Sequence, residues 1–164
     1  MPGSKLLARI LEIGEKSHLE NVAVAFYDYQ TTLRFSYQGE RIFHAASTFK
    51  AGILFALLKA FDEGKARADD PLHVRNRFHS IIDQSPYRIA RDRDGDATVH
   101  RKVGRSMSLI LLARAMITRS SNLATNLLLE FLGVDYVRRV LEEAGAAGLE
   151  VRRGVEDQLA FNAG

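Results

Sequence analysis

The sequence predicts an α+β fold in which helices dominate, and three observations carry that reading. A helical apolar period opens the chain, a period of two follows over the length of one hairpin, and several long apolar stretches of helical period occupy the rest. With 164 residues and 46% hydrophobic content, the chain has the material for the core of one ordinary domain. The expected layout is a single domain with a helix and β-hairpin over residues 1–45, a helical part over 46–150 and a tail over 151–164.

Leu6, Leu7, Ile10, Leu11 and Ile13 recur at helical spacing, which predicts an amphipathic helix from Ser4 to Glu15. Val22, Val24 and Phe26 then alternate with smaller or more polar residues until Asp28 marks a turn. Leu33, Phe35 and Tyr37 resume the alternation, so an antiparallel hairpin is expected, closed by a turn at Gly39. A very apolar helix is predicted from Ser47 to Glu63, stopping at Gly64. Residues 66–105 read as a loop-rich excursion with short helices. Further helices are expected from Ser106 to Thr118, from the Ser120-Ser121-Asn122 break to Gly133, and on to Gly145. Beyond Tyr37 the one further strand candidate is Gly148–Arg153. A two-stranded hairpin is not stable alone, so its apolar face calls for a cover.

Composition excludes several chemistries. With no cysteine there are no disulfides, thiolate metal sites or cysteine nucleophiles. The 23 basic and 20 acidic residues nearly cancel, which describes a solvated mixed surface rather than a nucleic-acid footprint. The basic run Arg88–Arg105 is interleaved with Asp92, Asp94 and Asp96 and has no aromatic stacking platform. Those aspartates fall at the first, third and fifth positions of a calcium loop, but Ala97 and Val103 stand where it needs its glycine and bidentate glutamate. His18, His44, His73, His79 and His100 have no metal-binding spacing, and surface or capping roles are expected for most of them. The N-terminus has no apolar run long enough for a signal-peptide core and no later run reaches the length of a membrane span, so a membrane is not an expected partner, and on the grounds above neither is nucleic acid or a metal.

The polar first turn of the 47–63 helix is its informative feature. Ser47 and Lys50 lie on one helical face, and a lysine among Phe49, Ala51, Ile53 and Leu54 has its neutral, basic form favoured by desolvation. A serine beside such a base is an activated nucleophile, and its own amide belongs to a helix start able to face an oxyanion. The competing reading makes Ser47 an N-cap and Lys50 a side chain that snorkels to solvent. Likewise, Ser120 and Asn122 either point into a cleft, as a proton relay and a carbonyl-binding amide, or cap a helix.

Together, "HAASTFKAGILFALLKAFDEGK" and "LILLARAMITRSSNLATNLLLEFLG" resemble the penicillin-recognising serine hydrolases, especially class A β-lactamases, with their Ser-x-x-Lys and Ser-Asp-Asn motifs. Phe43 and the small residues before Ser47, the Thr48-Phe49 pair, Asn126 four residues after Asn122, and the preceding hairpin extend the likeness over roughly residues 20–145. The resemblance implies a β-lactamase/transpeptidase-like fold and a β-lactam or related amide or ester substrate, with no cofactor. It makes Ser47 the acylated nucleophile, Lys50 its activating partner, Ser120 part of the proton relay and Asn122 the substrate-orienting amide.

Three departures qualify it. Ser121 stands where the family usually has Asp, which weakens local scaffolding. No lysine follows Lys102, so the Lys-Thr-Gly strand that completes the family's site has no counterpart. The family's deacylating Glu is followed by Asn four residues later, whereas Glu156 precedes Asn162 by six; Glu156 or Asp157 is the candidate base, against the alternative of a solvated tail carboxylate. The expectation is therefore the N-terminal portion of a larger hydrolase, complemented by a C-terminal segment or by a domain-swapped second chain. A catalytically incomplete binding module, or a penicillin-binding-protein-like peptidase or esterase that deacylates slowly, is the alternative.

Overall fold

The computed structural model describes residues 2–163. The chain divides between His44 and Ala45 into two compact units. In the first, α1 (Pro2–Lys16) carries Lys16 in its last turn, where a cation suits the helix dipole. Strands β1 (Val24–Tyr27) and β2 (Arg34–Tyr37) pair antiparallel, Val24 opposite Tyr37 and Tyr27 opposite Arg34. Asp28 shapes the connection by accepting hydrogen bonds from the Gln30 amide and the Thr31 hydroxyl. Phe26 and Phe35 stack across the pair with ring centroids 5.7 Å apart. Yet among the described residues of this unit only Gly14 is buried, and Phe26 and Leu33 keep more than a third of their surface.

The second unit holds the core. A 3₁₀ turn (Ala46–Phe49) runs into α2 (Lys50–Asp62), so the expected single helix begins as a tighter turn that carries Ser47. Ile53, Ala56, Leu57 and Ala60 form its buried face, against α4 (Leu109–Thr118), α5 (Asn122–Leu132) and α6 (Val134–Glu143). Gly52 sits where α2 meets α6, since a Cβ there would lie 2.9 Å from Leu149 and 3.2 Å from Leu141. Gly133, at φ 81°, ends α5 in a conformation that disfavours any side chain and starts α6 at once.

The sequence reading left four short strands unseen. β3 (Pro71–His73) pairs with β6 (Ser106–Ser108), and β4 (Phe78–His79) with β5 (Pro86–Tyr87), both antiparallel. Ser106–Ser108, expected to open the following helix, form the ladder with β3 instead, and α4 starts at Leu109. A ladder two or three residues long cannot display a period of two, and phase alone therefore could not reveal it. The Gly148–Arg153 strand expectation is corrected: Val151 is buried there, but no strand forms. In the chain between β5 and β6 comes α3 (Ala97–His100), capped by the Asp96 carboxylate on the Thr98 amide at 2.7 Å.

The tail returns to the core through Asp157. Its carboxylate caps α7 (Gln158–Asn162) at the Ala160 amide, 3.2 Å, and accepts from the Ile81 amide at 3.0 Å. Burial works against its ionisation, but the bonds from Ile81, Ser80 and Ala160 outweigh it and hold the carboxyl below its ordinary value. A depressed folded-state value contributes stability above the unfolded value, about pH 4, and that contribution is lost as pH falls through the folded one. Asp157→Ala is accordingly expected to cost about 1–2 kcal/mol near neutral pH. It should also flatten the acid limb of the stability curve, as followed by thermal unfolding from pH 7 to pH 3.

Candidate active site

The site forms where the 3₁₀ turn and first residue of α2 meet the link between α4 and α5. Ser120 occupies that link at φ 55°, a left-handed backbone uncommon for a residue with a side chain, and Ala46, just before Ser47, stands at φ 46°. The Ser47 hydroxyl is exposed and lies 3.0 Å from the Ser120 hydroxyl. Lys50 is 2% exposed, which corrects the snorkelling alternative. Its ammonium donates to the Ser120 carbonyl at 2.8 Å, the Ser120 hydroxyl at 3.0 Å and the Asn122 Oδ1 at 2.8 Å. Ser120's left-handed backbone thus turns both of its oxygens toward one lysine.

Burial holds the Lys50 amine below its ordinary value of 10.5, against the opposing pull of the Asp94 carboxylate. Asn122 is fixed at both ends of its amide, Oδ1 accepting from Lys50 and Nδ2 donating to the Arg93 carbonyl at 2.8 Å. One N–H of that amide is uncommitted in these contacts. The capping reading belongs to Ser121 instead, whose hydroxyl accepts from the Ala124 amide at 3.2 Å.

Four of the five predicted site residues, Ser47, Lys50, Ser120 and Asn122, are joined in one hydrogen-bonded chain. Glu156 stands apart from it: among the described residues its carboxylate pairs with Arg93 Nε at 3.2 Å. Arg93 nevertheless ties it indirectly to the site, because the same residue's carbonyl holds Asn122. The segment before Glu156 is held by buried Asn126, which accepts from the Val155 amide at 2.7 Å and donates to the Val155 carbonyl at 3.0 Å.

Sequence reasoning passed over Arg93, Asp94 and His100. The aspartates of this loop looked like a failed calcium motif in a solvated run, yet the Asp94 side chain is fully buried and serves the start of α5. His100, one of the five histidines without metal-binding spacing, is buried with Nε2 3.0 Å from Asp94. Gly95 was the available signal, since glycine is the residue that lets two backbones approach closely. Among the described residues no group of three or more His, Asp or Glu is arranged to hold a metal ion.

A family model described as "Beta-lactamase enzyme family" matches residues 5–163. The chain is 29% identical over 132 residues to the beta-lactamase ROB-1 of Haemophilus influenzae, covering 80% of this chain and 38% of that protein. A crystal structure of a beta-lactamase from Xanthomonas campestris superposes with a TM-score of 0.77 at 24% identity, covering 94% of this chain and 53% of the other. An ancestral class A beta-lactamase gives a TM-score of 0.73 at 30% identity over 92% of this chain and 54% of its own. The helical fold with its small antiparallel ladders is the fold of these enzymes, and this chain spans about half of their length or less.

Proposed function

The chain belongs to the beta-lactamase enzyme family, and from that premise we propose that it is a serine hydrolase opening a β-lactam amide through an ester on Ser47. The observation that carries the reading is the continuous path from the Ser47 hydroxyl through the Ser120 hydroxyl to the Lys50 amine, 3.0 Å at each step. With Lys50 neutral, Ser120 passes its proton to the amine and takes that of Ser47. Ser47 Oγ bonds to the lactam carbonyl carbon, the carbon–nitrogen bond breaks, and the Ser120 hydroxyl gives its proton to the leaving nitrogen while Lys50 returns one to Ser120. The uncommitted N–H of Asn122 donates to the substrate's side-chain amide carbonyl. Water then adds to the ester, releasing the ring-opened acid and restoring the Ser47 hydroxyl. In this reading the second oxyanion donor and the cation for the substrate carboxylate come from a complementing C-terminal segment or a second chain.

The second reading, acylation with slow deacylation, is favoured by one contact: the Glu156 carboxylate is engaged by Arg93. The carboxylate oxygen that accepts from the guanidinium is occupied where a hydrolytic water would have to donate. Intact-mass measurement after incubation with a penicillin tests both. An adduct of the mass of the intact drug that is absent in Ser47→Ala is expected, persisting for hours if the second reading holds and vanishing with turnover if Glu156 serves as base. No adduct in the parent at millimolar drug would sink acylation for this chain.

A further inference from the structure

We propose that Asp94 is the positioning residue of this site: its buried carboxylate holds the first turn of α5 so that Asn122 faces Lys50, and supplies the negative charge opposite the Lys50 ammonium. The role of Asn122 rests on the hydrolase reading above. The placement of Asp94 stands on contacts alone.

The Asp94 side chain has no exposed surface. Oδ1 accepts from the Asn122 amide at 3.1 Å and the Asp96 amide at 2.9 Å. Oδ2 accepts from the Leu123 amide at 2.9 Å and the Ser121 hydroxyl at 3.4 Å, and lies 3.0 Å from His100 Nε2. Three of these groups belong to consecutive residues around Asn122, two being first-turn amides with no partner inside their own helix. The neighbouring Arg93 carbonyl then takes Asn122 Nδ2, which leaves Oδ1 for Lys50. Backbone and side chain of Asn122 are thus both set by residues 93 and 94.

A carboxylate so buried needs compensation, and it has amide dipoles, a hydroxyl and an imidazole. Ser121, the residue at the α5 N-cap, brings no charge of its own. Asp94 delivers that charge to the same turn from a separate loop, where it opposes the loss of the Lys50 proton. His100, on α3, is the titratable side chain in hydrogen-bond contact with it.

Nuclear magnetic resonance titration of the Lys50 side-chain methylene, in the full chain without drug, tests this directly. In Asp94→Asn the Lys50 midpoint is expected to fall, and Asp94→Asn/Ser121→Asp, which moves the carboxylate to the N-cap, should raise it again. A purely structural Asp94 would leave the midpoint unmoved, and an unmoved midpoint, or no recovery in the double variant, overturns the proposal. Adduct formation should slow on the order of 10- to 100-fold in Asp94→Asn. If the parent forms no adduct, the hydrolase reading falls while the titration still decides on Asp94. Should Asp94→Asn fail to fold, hydrogen exchange in the parent decides: protected Asn122 and Leu123 amides support the proposal and freely exchanging ones overturn it.

Discussion

Lys50→Met is expected to slow adduct formation with a penicillin on the order of 10²- to 10⁴-fold, the usual contribution of a positioned base. The thermal midpoint should stay level or rise. Methionine keeps the length and apolar contacts of the lysine stem but removes the cost of desolvating an ammonium that is 2% exposed. The oxygens it leaves behind, on Ser120 and Asn122, belong to residues only partly buried, and water can replace the lost donor. Rates read by intact mass over a pH series, alongside thermal melts, check both halves. The parent should gain rate with pH through the lowered Lys50 value, as neutral amine becomes available, and the variant should not. A variant that acylates within tenfold of the parent would remove Lys50 from the base's role.

Gly95→Ala is expected to cost about 3 kcal/mol, at the upper end of overpacking, and to remove adduct formation with it. A Cβ at this position would overlap the carbonyl oxygen of Arg119 and stand 3.2 Å from its carbon and 3.3 Å from the Ser120 oxygen. All three are backbone atoms, so no side-chain rotamer relieves the contact. The displaced groups are the two sides of the site: Asp94 next to the glycine and Ser120 across from it. Urea unfolding measures the stability term. Normal stability with normal adduct formation would show that the two loops separate freely.

The residues legible in the sequence were those whose chemistry contradicted a strong local pattern. Ser47 and Lys50 interrupt an apolar helix, and Ser120 to Asn122 interrupt another, so periodicity itself exposed them. Asp94 and His100 lie where no pattern exists to be broken, in a loop-rich region of mixed charge. Asp94 is held by amides of α5 and His100 by Asp94 itself, and an amide carries no mark in the sequence. The longer helices were visible because their apolar phases run for about three turns or more, whereas the five residues of α7 in the tail were too few to show one. The ladders of Pro71 with Ser108 and Phe78 with Tyr87 were hidden by shortness. Glu156 was found as a candidate, but its ion pair with Arg93 depends on a loop path that spacing does not encode.

Asn122 and Asn126 stand one turn apart on α5, and the helix therefore does two jobs along one edge. The first asparagine meets Lys50 and Arg93, and the second grips the backbone at Val155 and reaches the Tyr87 hydroxyl. One residue inserted between them would rotate one against the other by about 100°, and no change of side chain could turn it back. As the gene drifts, substitutions elsewhere on α5 can be sampled one at a time, but the length of this single turn is closed to insertion and deletion.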